Sequence, residues 1–175
     1  SLRDFNLLTI PKDQQSSGNC WAFASIAVLE SAILKAGGES LDLSEENMKN
    51  LMAQFSDYGW DMETNEGGYD RMHIGYLTSW LGPVSDSEDV FDDHGTLSPI
   101  LNSVMHVQNV LFLKRDNYLD NDAIKKAIMQ YGAVGTSMLY DSNFFRWEGY
   151  YCWSTSSSNH AVTIVGWDDN YSRDH

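Results

Sequence analysis

The chain has 175 residues, 42% hydrophobic and 13% aromatic, a composition typical of one packed globular domain rather than a disordered chain. Eleven lysines and arginines against 25 aspartates and glutamates give a net charge of −14, which disfavours nucleic acid as a partner. No apolar run approaches the ~20 residues of a membrane span, and no cysteine–histidine spacing fits zinc, so we predict no membrane span, metal or cofactor.

Helices dominate the first half of the predicted structure. The first helix runs from Cys20 to about Ala36, where a glycine pair ends it. Ser44 is typical of an N-cap, and apolar residues at helical spacing follow it, which predicts a second helix. A third is predicted over 69–81. The residues predicted to face the core are Met48, Leu51, Met52 and Phe55 in the second helix, and Met72, Tyr76, Leu77 and Trp80 in the third.

Strands dominate the second half. An acidic loop spans residues 86–94, and alternation over 104–113 predicts a strand. A short helix is predicted over 123–131. Two more strands are predicted over 133–140 and 161–167, and the second is nearly all apolar, which predicts that it is buried.

Cys20 and His160 are the candidate catalytic residues. Cys20 opens the first helix after the loop Gln14-Gln15-Ser16-Ser17-Gly18-Asn19, and His160 leads into the apolar strand. A thiolate is stabilised by the N–H groups of a helix N-terminus and by a nearby imidazolium, which can then protonate a leaving amine. The backbone N–H of Cys20 and the side-chain amide of Gln14 are candidate donors to an oxyanion. This layout predicts nucleophilic catalysis in a cleft between the two halves.

Each of these assignments has a structural alternative. Cys20 could be a buried structural cysteine, and His160 alone could be a core histidine. A disulfide between Cys20 and Cys152 would abolish activity. Gln14 could be a simple loop residue, and the glycine pair at 67–68 an ordinary turn.

The sequence resembles the papain-like cysteine proteases from Leu2 to Trp167. His160 follows Cys20 at an interval within the roughly 130–150 residues that separate the family's nucleophile from its histidine. The segments that carry the resemblance are Gln14 with Gly18-Asn19-Cys20-Trp21-Ala22-Phe23, Leu43-Ser44-Glu45-Glu46, Asn65-Glu66-Gly67-Gly68-Tyr69, Gly149-Tyr150-Tyr151 and Asn159-His160-Ala161-Val162.

The resemblance implies an α+β fold of two lobes, helical on the left and β-rich on the right, with the active cleft between them. Residues 12–100 would form mainly the helical lobe of a single peptidase domain, and residues 1–11 with 101–175 mainly the β-rich lobe. It also implies an endopeptidase that acts through a Cys20 thioester, with His160 as acid and base. Gln14 would lie in the oxyanion hole.

The resemblance further assigns residues to a peptide or protein substrate. Backbone groups of the glycine pair would hold an extended peptide, and other residues would line the pocket for the side chain that precedes the cleaved bond. The residues expected to bind substrate are Gly67, Gly68, Tyr69, Val134, Asn159 and Ala161.

Three positions depart from the family pattern. Ser17 stands where the family has a disulfide-forming cysteine, which indicates a disulfide-poor branch such as a prokaryotic one. Asn159 replaces an aspartate found in many members, which we expect to change pH dependence more than mechanism. The Asn-Ser-Trp-Gly motif expected after the histidine strand is absent, so the asparagine that orients the imidazole is expected on a C-terminal chain or segment.

The absent motif keeps other functions open. A catalytically silent peptide-binding domain of the same fold is the main alternative, and a Cys/His acyltransferase shares the nucleophile chemistry. Because an active protease usually needs a masking segment, we expect a removed propeptide. A removed leader would make the protein secreted or attached to the cell surface.

Overall fold

The computed structural model describes residues 1–117, 119–146 and 149–171 of the chain. Parts of the range predicted to be rich in strands, at 118, 147–148 and 172–175, lie outside the described residues. The helices are α1 (Cys20–Lys35), α2 (Glu45–Leu51), α3 (Asp70–Thr78) and α4 (Asp122–Tyr131), and the strands are β1 (Val134–Met138), β2 (Phe145–Arg146), β3 (Gly149–Tyr150) and β4 (His160–Ile164). Helices therefore precede paired strands, as predicted.

Helix α1 begins at Cys20, as the sequence predicts, and ends at Lys35. Its inward face carries fully buried side chains, Ala22 and Ile26 among them. Gly37 ends the helix with a φ of +83°, a left-handed conformation that glycine adopts without a steric cost. The N–H of Gly38 then donates to the carbonyl of Ile33 at 2.9 Å, which satisfies a carbonyl of the last turn.

Helices α2 and α3 are shorter than predicted. The Ser44 side chain accepts a hydrogen bond from an N–H of the first turn of α2 at 3.0 Å, which confirms the predicted cap. A series of turns follows Leu51, so Phe55 is 56% exposed and its predicted place in the core is wrong. The prediction that Trp80 faces the core is also wrong. Helix α3 ends at Thr78, and Trp80 has a φ of +64° and is 53% exposed.

The strand predicted over 104–113 does not form. The structure describes all of this segment and shows an irregular run, anchored where the N–H of Val104 donates to the carbonyl of Pro83 at 2.9 Å. Leu111 and Phe112 are exposed. An alternating pattern makes a strand only when a neighbouring strand supplies hydrogen-bond partners, and this segment has no such partner among the described residues.

Strands β1 and β4 pair in antiparallel fashion, with Val134 opposite Ile164 and Met138 opposite His160. Both strands lie where the sequence predicts them. However, β4 is half-buried along its length, so the prediction of a fully buried strand is wrong. A strand that pairs with only one neighbour keeps more surface accessible than an interior strand of a large sheet. Helix α1 lies against β4, and the Thr163 hydroxyl donates to the carbonyl of Ala24 at 3.1 Å.

The described residues form two clusters of buried apolar side chains. The helical core joins α1, α2 and α3, and consists of Trp21, Ala22, Ile26, Leu43, Met48, Leu51, Met52, Met72, Tyr76 and Leu77. The second core consists of Leu2, Ile128 and Ala133. Ala161 of β4 packs against the helical core, while Val28 of α1 packs against the second core. Helix α1 therefore contacts both clusters.

No helix in the described part of the chain combines the length and the apolar character needed to cross a membrane. The same residues contain no group of three or more His, Cys, Asp or Glu side chains placed to hold a metal ion.

Candidate active site

Cys20 lies at the start of α1 and is half-buried, with its sulfur turned toward β4. The backbone N–H of Ala161 donates to Cys20 Sγ at 3.4 Å. Cys20 and Cys152 are both free thiols, so the alternative of a disulfide between them is not what the structure shows. Cys20 also lines an open cavity, which does not fit a purely structural, fully buried cysteine.

The side-chain amide of Asn159 fixes the segment directly before His160. Asn159 Nδ2 donates to the carbonyl of Tyr140 at 2.9 Å, and Asn159 Oδ1 accepts from the N–H of Tyr140 at 2.6 Å. The Tyr140 ring lies 5.5 Å from the His160 ring between centroids. These contacts and the β1–β4 register place His160 at the first position of β4, directly before the residue that contacts the thiol.

Four of the predicted site residues line one cavity of about 350 Å³. They are Gln14, Cys20, His160 and Ala161. The cavity lies where α1, β4 and the segment around residues 8–12 meet. The fold therefore brings the imidazole of His160 from a distant part of the sequence onto the same surface as the Cys20 thiol and the Gln14 amide.

Gln14 belongs to the cysteine loop, by which we mean residues 14–19. Its Nε2 donates to the carbonyl of Ser17 at 2.8 Å, and the Ser17 hydroxyl donates back to the Gln14 carbonyl at 2.8 Å. A primary amide nitrogen carries two hydrogens, and this contact uses one of them. The bond holds the amide beside the cavity, while its predicted role as an oxyanion donor stays a prediction.

The glycine loop, residues 65–68, contacts the cysteine loop directly. The N–H of Gly18 donates to the carbonyl of Asn65 at 2.8 Å. Gly67 has a φ of +110°, a conformation that favours glycine. Gly68 lies flat against the indole of Trp21, where a Cβ would overlap the ring. The backbone conformation thus favours glycine at position 67, and the close approach of Trp21 favours it at position 68.

The remaining predicted substrate residues lie outside the lining of the cavity. Gly67 and Gly68 are in the glycine loop, and Tyr69 follows them as the exposed N-cap residue of α3. Val134 packs in the second core, opposite Ile164. The structure brings the glycine loop next to the cysteine loop, but it does not bring Val134 to the cavity. Their roles toward substrate stay predictions.

The sequence reasoning missed a buried group of charges beside the cavity. Glu30 and Glu45, each 2% exposed, line it together with Lys12. Lys12 Nζ contacts Asp42 Oδ1 at 2.7 Å, Glu45 Oε1 at 3.1 Å and Glu30 Oε1 at 3.4 Å. It also donates to the Leu43 carbonyl at 2.6 Å. The signal available in the sequence was Glu30, a charged residue in the middle of the apolar α1 sequence, which indicates a buried charge.

Burial and charge oppose each other in this group. Burial raises the pKa of Glu45 from its ordinary 4.5 to about 7, although the attraction to Lys12 acts in the other direction. Burial also acts to lower the pKa of Lys12, but Glu45, Asp42 and Glu30 together outweigh it and raise that pKa above its ordinary value. The N-terminal segment is thus tied to α1 and α2 by charged groups that are mostly removed from water.

The chain resembles known proteins along almost its entire length. Residues 2–175 match the model of the papain family cysteine proteases. Cathepsin K of Gallus gallus is 27% identical over 170 residues, which cover 91% of this chain and 47% of that protein. The clostridial cysteine protease Cwp84, solved after propeptide cleavage, is 32% identical with a TM-score of 0.87, covering 98% of this chain and 44% of that one.

A second structure contains the cysteine protease and lectin-like domains of Cwp84, a surface layer associated protein of Clostridium difficile. It is 30% identical with a TM-score of 0.86, and the match covers 98% of this chain and 39% of that one. This chain spans about half the length of the curated relatives that it matches.

Proposed function

Because the chain belongs to the papain family of cysteine proteases and has that family's α+β fold, we propose that it hydrolyses peptide bonds through a thioester on Cys20. The observation that carries the proposal is the contact between Cys20 Sγ and the N–H of Ala161, 3.4 Å apart, with His160 as the adjoining residue on the same cavity. A nucleophile at a helix N-terminus beside a general acid is the arrangement that acyl transfer to a thiol needs.

In the first step of the proposed reaction, the Cys20 sulfur attacks the carbonyl carbon of a peptide bond. The carbon–oxygen π electrons move to the oxygen and form an oxyanion. When the tetrahedral intermediate collapses, the carbon–nitrogen bond breaks and His160 donates its proton to the leaving amine. The products of this step are a free amine and a thioester on Cys20.

In the second step, His160 accepts a proton from a water molecule that attacks the thioester carbonyl. The carbon–sulfur bond then breaks, which releases a carboxylic acid and restores the thiolate. The backbone N–H of Cys20 and the second hydrogen of the Gln14 amide are the proposed oxyanion donors in both steps. The bond from Gln14 to the Ser17 carbonyl supports this role, because it fixes the amide beside the cavity.

We further propose that the substrate is an extended peptide held by the glycine loop. Gly67 and Gly68 lack side chains, so a peptide backbone could approach their N–H and C=O groups closely. The contact of Gly18 with Asn65 supports this assignment, because it keeps the glycine loop beside the residues that precede the nucleophile. The net charge of −14 favours basic over acidic peptides.

The proposal includes partners outside the described residues. An asparagine from a C-terminal segment or a second chain would orient the His160 ring, and a propeptide would mask the cleft before activation. The greater length of the relatives, and the propeptide named for one of them, support this arrangement. By analogy with Cwp84, a surface layer associated protein, we propose a secreted or cell-surface location.

Replacement of Cys20 tests the proposal. We expect Cys20→Ala to abolish peptide hydrolysis, because no other group supplies the thioester, while the free energy of unfolding changes little. Cys152→Ala is the matched control: Cys152 is exposed and should be dispensable. Turnover of a fluorogenic peptide library by the protein at its natural full length is the measurement.

The assay also separates the alternatives. Hydrolysis by the Cys20→Ala variant at the wild-type rate would contradict the proposal. Peptide binding without turnover in the wild-type protein would identify a silent binding domain instead. Transfer of the acyl group to an added amine in preference to water would indicate an acyltransferase.

A further inference from the structure

We propose that Asn65 is a positioning residue that, together with the buried Lys49, fixes the glycine loop relative to the cysteine loop. In this arrangement the proposed oxyanion donor Gln14 and the substrate-binding backbone of the glycine loop face the same peptide. This inference rests on the proposed function, whose failure the experiment below detects separately. Asn65 itself is not placed in contact with substrate. It would act through Asn19, which directly precedes Cys20, and through the glycine loop to which it belongs.

Asn65 contacts the cysteine loop through its backbone and its side chain. Its carbonyl accepts from the N–H of Gly18 at 2.8 Å, and its Oδ1 accepts from Asn19 Nδ2 at 2.9 Å. Asn19 is fully buried, so its amide gains no comparable partner from water. One residue therefore makes two neighbouring contacts to the segment that leads into Cys20.

The two loops are also too close for side chains between them. A Cβ at Gly18 would lie 2.7 Å from the N of Gly67 and 2.8 Å from the carbonyl oxygen of Asn65. Backbones at this distance transmit a displacement directly, because tightly packed atoms have no room to absorb it. A shift of the glycine loop would therefore move the residues that precede Cys20.

Lys49 fixes the other side of Asn65. Its ammonium is fully buried and donates to Asn65 Oδ1 at 3.3 Å, to the carbonyl of Asp92 at 2.6 Å and to the carbonyl of Gly95 at 2.8 Å. Glu46 Oε2 lies 3.1 Å away and balances its charge. A buried ammonium with this many partners has little freedom to move, so Asn65 Oδ1 is held from two directions.

The acidic loop supports the same arrangement from outside. The Ser16 hydroxyl of the cysteine loop donates to Asp93 Oδ2 at 2.6 Å. Phe91 packs edge-on against Phe23 of α1, with ring centroids 4.8 Å apart, and the Lys49 ammonium lies 5.2 Å from the Phe91 centroid. The glycine loop and the segment around Asp92 thus contact one ammonium directly, and the cysteine loop is joined to them through Asn65 and Asp93. The chain's two cysteines are both free, so no disulfide bond holds these loops together.

The proposed role predicts different effects on two reactions of Cys20. Peptide hydrolysis passes through an oxyanion and needs both loops in register, whereas alkylation by iodoacetamide displaces iodide at a saturated carbon and forms no oxyanion. We therefore expect Asn65→Ala to lower kcat/KM by about tenfold, the loss typical of a reacting group displaced by a fraction of an ångström. The rate of alkylation and its pH dependence should stay unchanged.

Two variants serve as controls. Asn65→Asp keeps an oxygen acceptor for Asn19 and Lys49, and should retain kcat/KM within about threefold of the wild-type value. Ser31→Ala removes a buried hydroxyl that donates to the carbonyl of Leu7 at 2.8 Å and accepts from the N–H of Ala133 at 3.0 Å, away from the cysteine loop, the glycine loop and Lys49. It reports the effect of a general loss of stability, and its hydrolysis and alkylation should change together or not at all.

A double-mutant cycle with Asn19→Ala tests the side-chain contact itself. If the bond between Asn19 and Asn65 carries the effect, the double variant should lose no more activity than either single variant. Multiplicative losses would overturn this part of the inference. If Asn65→Ala does not fold, Asn19→Ala and Asn65→Asp provide the same comparison of hydrolysis with alkylation.

Binding of a peptide aldehyde separates this inference from the proposed function. The Cys20 sulfur adds to the aldehyde carbon, and the C=O π electrons move to the oxygen, whose developing negative charge the oxyanion donors stabilise. The oxygen then takes the thiol's proton, so the addition needs no leaving group. If the wild-type protein does not hydrolyse peptides, the proposed function fails, yet a tenfold weaker aldehyde affinity in Asn65→Ala would still support positioning. Unchanged hydrolysis and aldehyde affinity, or a parallel loss of alkylation, would overturn it.

Discussion

The surroundings of Cys20 and those of His160 are built differently. Cys20 opens a helix whose residues join the helical core, and the glycine loop beside it contacts a buried ammonium through Asn65. His160 begins a half-buried strand that pairs with β1, and an amide bonded to the Tyr140 backbone precedes it. The segment around Cys20 is therefore held by buried packing as well as hydrogen bonds, whereas the segment around His160 depends on a few hydrogen bonds. His160, the proposed acid and base, thus lies in the part of the site that is more easily displaced.

The same substitution in the two regions should give the largest difference. Ile26 is fully buried in the helical core, and Ile164 is half-buried beside the second core. We expect Ile26→Ala to lower the free energy of unfolding by about 2–5 kcal/mol, because it leaves a cavity. Ile164→Ala should cost about 1 kcal/mol, because the site is already partly exposed. Urea denaturation measures both, and equal losses would contradict the comparison.

The buried carboxyl group of Glu45, beside the cavity, should make the free energy of unfolding depend on pH. The pKa of Glu45 is raised above its ordinary 4.5 to about 7, so the folded protein holds its proton more tightly than the unfolded chain. That contribution to stability is complete below about pH 4.5 and is lost as pH rises through about 7. Glu45→Gln cannot ionise and should lack this loss, which we expect to be about 1–3 kcal/mol.

The measurement is the free energy of unfolding of both proteins from pH 4 to 8. Lys12, Glu30 and Asp42 face Glu45 and stay in place in the variant. Glu39→Gln, at an exposed position, is the control for removing a carboxylate. Parallel pH curves for the wild-type protein and Glu45→Gln would show that Glu45 does not titrate in this window.

Loss of the Asn159 side chain, which fixes the segment before His160, should lower activity more than stability. Asn159→Ala removes both bonds to the Tyr140 backbone, so we expect the free energy of unfolding to fall by about 1 kcal/mol or less. Because His160 is the next residue, kcat/KM should fall several-fold more than the stability change alone would cause. Ser158→Ala, at an exposed neighbouring position, is the control. Activity that follows the folded fraction alone would contradict this role.

The places of the two candidate catalytic residues in the fold could be predicted from the sequence because their signals are local. Cys20 follows a glycine-containing loop and begins an amphipathic helix, and His160 precedes an apolar strand. Each pattern predicts its local secondary structure, a helix at Cys20 and a strand at His160, without long-range contacts. The structure adds that both residues line one cavity, which the split of the motifs between the two halves had predicted.

The errors arise where long-range contacts decide the outcome. Alternation over 104–113 predicted a strand, but no neighbouring strand among the described residues pairs with it. Helical spacing included Phe55 and Trp80, but both α2 and α3 end before them. The group of Lys12, Glu30 and Glu45 was missed: Glu30 in the apolar α1 sequence is a local signal of a buried charge, but no local pattern shows which distant residues will be buried with it.

The most direct test of the account compares two thiols of the same chain. Alkylation of Cys20 and Cys152 by iodoacetamide at pH 6, measured by peptide mass spectrometry, reports which sulfur is a thiolate. If Cys20 pairs with His160, it should react more than about tenfold faster than Cys152, and His160→Ala should remove most of that advantage. Equal rates for both cysteines, or an advantage unaffected by His160→Ala, would contradict a catalytic Cys20–His160 pair.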